Sequence, residues 1–465
     1  MEYIKSIRLY SRNFSLFRIA GISIVFILLA LLFPTMLLKF SLTNWNISNI
    51  IMPWLVIVYC TLKISYLGIK NEKRILEMTF LLFVLIWFGI APFCQVSEWY
   101  FPWFEIMYSS YSWNDMFQAY IIIGTGILFY EIGLMTYKKT SFAQRDYVNR
   151  LQFNRIVLLT FAVLIVTSVL IIQYGGFTMF LQSRGSAGDI YGSKMEALIV
   201  SNMIKVLPLV MLMYVLAYWK QYTGRKPLNL ILLTIFLMLI NIYISNPVFN
   251  PRYWAGSVLL GIWYMIGPWK RNSFFNWSVI FVIILIVIFP YTDIFRRSLD
   301  ANIVVQGLTT PLIYKGDYDA FQMVMNAIQY VKYNGVDYGM QILGAVLFWF
   351  PRSIWVTKPV GTGQMIAEKM GYWFTNLSAP LWVELYVGFG IIGVIVAFFF
   401  YGRLTAWMQR KYIQEGEKSL FGVILPFLAA YQIFILRGDL MNGLAYLFLF
   451  LVCSVLFSKY LYKKK

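Results

Sequence analysis

The sequence predicts an all-α polytopic membrane protein with about twelve transmembrane helices, and three observations carry that reading. Of 465 residues, 60% are hydrophobic and 13% charged, where a soluble domain carries about 25% charged residues. The apolar residues gather in runs of roughly 20, enough helix to cross a hydrocarbon core of about 30 Å. Lysine and arginine recur in the short segments between runs.

In chain order the runs lie near 19–38, 50–67, 76–95, 117–137, 156–174, 197–219, 228–245, 253–268, 274–290, 380–401, 420–436 and 440–457. The first follows Lys5, Arg8, Arg12 and Arg18 and has the length of a retained signal anchor, not of a cleaved signal. The second and third are separated by Lys70, Lys73 and Arg74, the fourth and fifth by Lys138, Lys139, Arg145, Arg150 and Arg155. Lys220, Arg225 and Lys226 follow the sixth, Lys270 and Arg271 the eighth, Arg403, Arg410 and Lys411 the tenth, and Lys463-Lys464-Lys465 the last. All these segments fall on one side, which the positive-inside rule makes the cytoplasm, with both termini there. With this topology the net charge of +19 lies on the cytoplasmic side and the outer side balances. Anionic inner-leaflet lipid accounts for the charge, and no nucleic acid is needed. Cys60, Cys94 and Cys453 sit inside apolar runs, without metal-ligand spacing, and read as packing residues.

The chain divides into nine spans over 1–290, a large outer segment over 291–379 and three spans over 380–465. The outer segment carries Arg296-Arg297, Gly316-Asp317-Tyr318-Asp319-Ala320-Phe321, Phe350-Pro351-Arg352-Ser353-Ile354-Trp355 and Lys358-Pro359. A loop of that length is usually functional. Orientation disfavours cations on the outer side, so Arg184, Arg252, Arg296, Arg297, Arg352, Lys358 and Arg437 call for partners. A neighbouring carboxylate explains any one of them; an anionic ligand at the membrane surface explains the set.

Within the loop the apolar spacing of Phe321, Val324, Met325, Ile328 and Val331 predicts a helix over 317–333, with Gln322, Asn326 and Gln329 opposite, lying along the membrane or lidding a cavity. Asp317 or Asp319 is then an N-cap. The same residues spell Asp-x-Asp, a metal and nucleotide-sugar motif in many sugar transferases, but nucleotide sugars belong to the cytoplasm. Residues 340–350 are apolar but too short to span, so they dip in and return or pack on the spans, delivering Arg352 to the edge of the hydrocarbon. Glu384, just inside the following span, is its natural partner, and an intramembrane carboxylate is a functional candidate in its own right. Lys205, inside the sixth span, is weaker: its ammonium can snorkel to the surface.

These residues carry a resemblance. Gly-Asp-Tyr-Asp-Ala-Phe at 316–321, the short apolar run ending Pro-Arg-Ser-Ile-Trp at 351–355, Lys358-Pro359, Glu384 before Gly388-Phe389-Gly390, and Arg437-Gly438 look like the bacterial O-antigen and oligosaccharide repeat-unit polymerases (Wzy-type). The plan of twelve spans with one large outer loop before the last three resembles that family over the whole chain, the motifs only over about 296–439. The resemblance implies a GT-C-like glycosyltransferase of the bacterial inner membrane with its active site on the periplasmic face. It would join repeat units carried on undecaprenyl diphosphate, which serves as donor and acceptor, in a membrane shared with a chain-length regulator. It implies no cofactor and no metal, with the arginines and Lys358 stabilising the departing diphosphate. The chain has no histidine, so either the leaving group does most of the work without a general base, or the base is a carboxylate, with Asp317, Asp319, Asp300 and Glu384 as candidates. Two other readings stand beside it: a flippase for lipid-linked oligosaccharide, and a ligase that moves finished polymer to another carrier.

Overall fold

A computed structural model describes residues 34–36, 47–70, 74–103, 111–137, 150–182, 194–222, 224–267, 277, 280–293, 307 and 309–462. The described residues are helical, and eight of their helices are long and apolar enough to cross a membrane. These are α1 (Ile47–Lys70), α2 (Ile75–Glu98), α3 (Trp113–Thr136), α4 (Phe153–Gln173), α5 (Lys194–Gln221), α13 (Leu381–Glu415), α14 (Leu420–Arg437) and α15 (Leu440–Leu461). Between α5 and α13 come α6 (Leu228–Ile244), α7 (Arg252–Ile266), α8 (Ile280–Tyr291), α9 (Thr310–Tyr314), α10 (Ala320–Asn334), α11 (Met340–Val346) and α12 (Thr362–Lys369).

Two of the twelve runs form helices shorter than a full span, α6 and α7, and punctuation explains it. Pro227 precedes α6 and Asn246-Pro247 follows it closely; Pro251 precedes α7 and Gly267 ends it. The 15 residues of α7 make about 22 Å of helix, less than the hydrocarbon thickness. In α8 a π-turn over Ile284–Ile288 runs into a 3₁₀ turn over Phe289–Asp293, set by Pro290. The run at 19–38 lies outside the described residues except for 34–36.

The chain forms two compact units that do not follow the three-part division by chain order. One gathers, among the described residues, α1, α2, most of α8, α9 and the start of α10. There α2 is buried along its whole length, with a π-turn over Leu85–Ile90 in its middle. Buried Gln95 donates to the carbonyls of Leu312 (2.8 Å) and Tyr318 (2.9 Å), tying the segment after α8 to α2.

The other unit holds α3 to α7, most of α10, α11 and α12, and the last three helices. Its core is apolar side chains of α4, α5, α7, α14 and α15, with the rings of Trp254, Phe427, Tyr431 and Tyr446 packed together among them. Helices α3 and α13 lie so close that a Cβ on Gly133 would sit 2.1 Å from the Phe399 carbonyl oxygen, and one on Gly402 2.1 Å from that of Tyr130. Small residues permit such backbone approach in membrane helices.

At 35 residues, α13 would be about 52 Å long if straight. It breaks at Phe389 and Gly390, where Gly390 takes φ 61°, ψ −153°, a conformation open essentially to glycine alone. The span expected over 380–401 is therefore two pieces: a short helix carrying Glu384, and a long one running on to Glu415.

One end of this unit is laced by chain-end contacts. Gln152 N–H donates to Leu461 O (3.3 Å), Arg155 to Tyr460 O (2.8 Å), Arg410 to Tyr137 O (2.8 Å) and Tyr462 Oη to Lys418 O (2.8 Å), and Lys220 pairs with Glu417 at 3.0 Å. The ends of α3, α5, α13 and α15 thus meet the starts of α4 and α14, as helices of alternating direction require.

Candidate functional site

The residues expected to do chemistry fall into three groups. Arg184, Arg296, Arg297 and Asp300 lie outside the described residues. Asp317 and Asp319 belong to the first unit; Arg252, Arg352, Lys358, Glu384 and Arg437 belong to the second.

In the first unit the Gly-Asp-Tyr-Asp motif is packed tightly. Asp319 is fully buried and its Oδ2 accepts from the indole N–H of Trp103 (2.9 Å), while Gln322 Oε1 accepts the Trp103 backbone N–H (3.0 Å). Trp87 donates to the Asp317 carbonyl (2.8 Å), and buried Tyr318 donates through its hydroxyl to Leu285 O (2.5 Å). Every polar bond named here fixes one protein segment to another, the arrangement of a structural knot. Of the two placements expected for the following helix, the one along the membrane is not found. Gln322 and Asn326 are fully buried, so α10 does not lie along a surface. Within the second unit Asn326 Oδ1 accepts from Tyr111 Oη (2.5 Å), and its amide donates to Tyr372 Oη (3.0 Å).

In the second unit the segment after α10 builds a site. Gly335 and Gly339 turn the chain with positive φ, and the Asp337 carboxylate holds that turn by accepting from the N–H of Gly339 (2.9 Å) and Gln341 (3.2 Å). Burial raises the Asp337 carboxyl above its ordinary value, against those backbone bonds. Next, α11 packs on α13 and α15 through buried Gln341, Gly344 and Ala345, leaving Met340, Leu343 and Val346 exposed.

Past α11 the chain closes on itself around two cations. Lys358 is only 7% exposed, and its Nζ donates to the carbonyls of Phe348 (2.7 Å) and Phe350 (3.0 Å). Arg352 donates from Nη1 to the Lys358 carbonyl and from Nη2 to that of Pro359 (2.8 Å). Burial, then the Arg352 charge, pushes the Lys358 ammonium below its ordinary range. Here the structure corrects the sequence reading: Arg352 is exposed, and it is not paired with Glu384, because its bonds are to loop carbonyls. A guanidinium has five N–H donors, and two bonds leave the rest of the fork facing outward.

Glu384, 1% exposed, has other partners. Thr362 Oγ1 donates to its Oε2, and the Leu440 N–H donates to its Oε1 at 2.9 Å. Beside it is a second carboxylate that sequence reasoning did not select. Asp439 caps α15, with Oδ1 accepting from the Met441 N–H (2.9 Å) and Oδ2 from the Gly363 N–H (3.3 Å). A Cβ on Gly361 would come within 2.4 Å of Asp439 Oδ2, so glycine there lets the backbone reach the carboxylate. Burial raises the Asp439 carboxyl above its ordinary value, opposed by the backbone N–H groups of Gly363, Met441, Asn442 and Thr362. The one signal available in the sequence was an acidic residue opening a span on the side of the other motifs.

The segment from Phe348 to Gly363 therefore joins two cations at one end to two buried carboxylates at the other, and Thr362 lies four positions beyond Lys358. Among the described residues no three side chains of His, Cys, Asp or Glu come together as a metal site. Arg252 opens α7 and Arg437 closes α14, both half-buried. No family model, curated protein or solved structure matches the chain.

Proposed function

We propose that this chain is a polymerase of lipid-linked oligosaccharide repeat units, with about twelve spans and a GT-C-like plan, acting at the outer face of a bacterial inner membrane. The observation that carries the reading is the joining of Arg352 and Lys358 to Glu384 and Asp439 through one short segment of a protein rich in membrane-length helices. Glycosyl transfer from a lipid diphosphate needs both halves. As the acceptor hydroxyl attacks the anomeric carbon, a C–O bond forms and the bond to the diphosphate oxygen breaks, so negative charge grows on the leaving group while a proton must leave the hydroxyl. Preorganised cations stabilise the first, and a carboxylate held by fixed donors takes the second.

Glu384 is the base in this scheme. Thr362 and the Leu440 N–H orient it, and Asp439 holds the backbone beside Thr362 through the Gly363 N–H. Arg352, with donors left over, receives the diphosphate at the exposed edge, and Lys358 keeps the loop closed beneath it. The exposed Met340, Leu343, Val346 and Trp349 offer the polyprenyl tail an apolar approach.

Deletion of the gene followed by electrophoresis of the surface polysaccharide tests this. Material bearing a single repeat unit supports the polymerase; loss of all repeat units points to a flippase, and unattached lipid-linked polymer to a ligase.

A further inference from the structure

A second group of polar side chains lies buried in the helical bundle, unused by the scheme above. Lys205, on α5, is 6% exposed, so its ammonium does not snorkel to the surface as a lysine inside a span otherwise can. Its Nζ meets Tyr446 Oη on α15 at 3.4 Å and sits 5.5 Å from the Tyr446 ring centroid. Among the described residues no carboxylate pairs with it. Tyr446 is buried and packs on Trp254 at 4.9 Å, and that indole is already engaged with Ser245 Oγ at 3.0 Å. Three positions before Lys205, Asn202 is 4% exposed, and its Oδ1 has no hydrogen-bond partner.

Residues three apart on a helix share a face, so Asn202 and Lys205 point the same way. An ammonium has three donors, and one long bond to a tyrosine leaves two of them unused. The Tyr446 hydroxyl has its own proton to give, and the Asn202 amide adds two donors and an acceptor. Buried polar groups are normally satisfied, and an ionisable residue inside a membrane span marks a functional position when nothing pairs with it. Donors outnumber acceptors here, aromatic rings wall the position, and the low local dielectric strengthens whatever anion enters.

We propose that Asn202, Lys205 and Tyr446 form an oxyanion-binding site inside the bundle. The ligand is a phosphoryl or carboxylate oxyanion, with Lys205 supplying the charge and the amide and phenol the flanking hydrogen bonds. Two sources carry that chemistry on the polymerase reading, the diphosphate of a lipid carrier and an acidic sugar of the repeat unit. The source rests on that reading, the site does not.

The test is thermal unfolding of the purified full-length protein in detergent, titrated with inorganic diphosphate in one series and glucuronate in another. The wild type is expected to gain stability saturably with one of the two, which identifies the source. Lys205→Met removes a buried, unpaired charge and keeps the volume. It is expected to unfold at the same or a higher temperature without ligand and to bind more than roughly tenfold more weakly. Tyr446→Phe, which deletes one hydroxyl, gives a second reading should Lys205→Met fail to accumulate, and is expected to weaken the response severalfold. No response of the wild type to either anion, or an equal response in the wild type and the variants, overturns the site. Because stability in detergent does not depend on polymer formation, the proposed activity can fail while this site stands, and the reverse.

Discussion

Asp439 is the residue whose surroundings make the clearest physical statement. Its folded carboxyl titrates above the ordinary value of 3.8 because burial outweighs the backbone N–H groups it accepts from. The folded state therefore holds a proton that the unfolded state gives up, so its contribution to stability is present below pH 3.8 and is lost as pH rises through the folded value. Unfolding temperature measured against pH in detergent should show this as a difference curve: relative to Asp439→Asn, the wild type loses stability as pH climbs from about 4. Parallel curves would remove the claim. Arg352 makes a different prediction. Its fork spans two carbonyls and keeps donors outward, a geometry lysine cannot copy. Arg352→Ala should abolish long polysaccharide chains and Arg352→Lys should leave a short, sparse ladder, both with normal protein in the membrane. A full ladder from Arg352→Ala would take Arg352 out of the site. Neither residue's surroundings could be read from the sequence. Glu384 and Arg352 looked like partners because both were charges without a mate at a membrane edge. The mates came from Thr362, Leu440 and the loop carbonyls, and hydropathy says nothing about such contacts.

Helices were more legible than their interruptions. Runs of apolar residues fixed α1 to α5, α14 and α15 within a few positions, because span length is set by the bilayer and not by neighbours. The break in α13 was missed, although Gly388-Phe389-Gly390 stood in view, because glycine inside a membrane helix serves equally well for close packing. Both uses occur here. Gly390 supplies a backbone conformation, whereas Gly133 and Gly402 let α3 and α13 touch. The two roles predict different costs. Gly390→Ala should destabilise by about 1–3 kcal/mol through backbone strain. Gly133→Val would drive a branched side chain into a carbonyl that cannot move without its helix. A cost above about 3 kcal/mol follows, a large fraction of the marginal stability of a folded chain. Immunoblotting of membranes and size-exclusion profiles in detergent check both: normal levels of monodisperse Gly133→Val would mean that the two helices are not packed this closely. α10 teaches the complementary lesson. Its apolar spacing marks the helix, but spacing does not say what faces the amides: Gln322 and Asn326 are buried partners of Trp103 and of tyrosines.

At the scale of the molecule, sidedness links the fold to the proposed reaction. Helix ends that the sequence assigns to the cytoplasm, at Tyr137, Gln152, Lys220, Lys418 and Leu461, meet at one end of the second unit through hydrogen bonds and the Lys220–Glu417 pair. Thr362, Glu384 and Asp439 lie at the opposite ends of α13 and α15. If the first set faces the cytoplasm, the loop site faces outward, where an acceptor repeat unit can reach it. Two exposed positions report on this: Ser353 in the cationic loop and Lys418 in the turn before α14. Cys60, Cys94 and Cys453 are buried packing residues, so replacing all three by alanine costs core volume but leaves a chain with no other thiol. In that background Ser353→Cys should react with a membrane-impermeant maleimide in intact spheroplasts, and Lys418→Cys only after lysis. The reverse pattern would turn the protein over and put the carboxylates on the side of nucleotide sugars. Labelling of both positions before lysis would mean that the helices between them do not separate two compartments, and the membrane plan itself would fall.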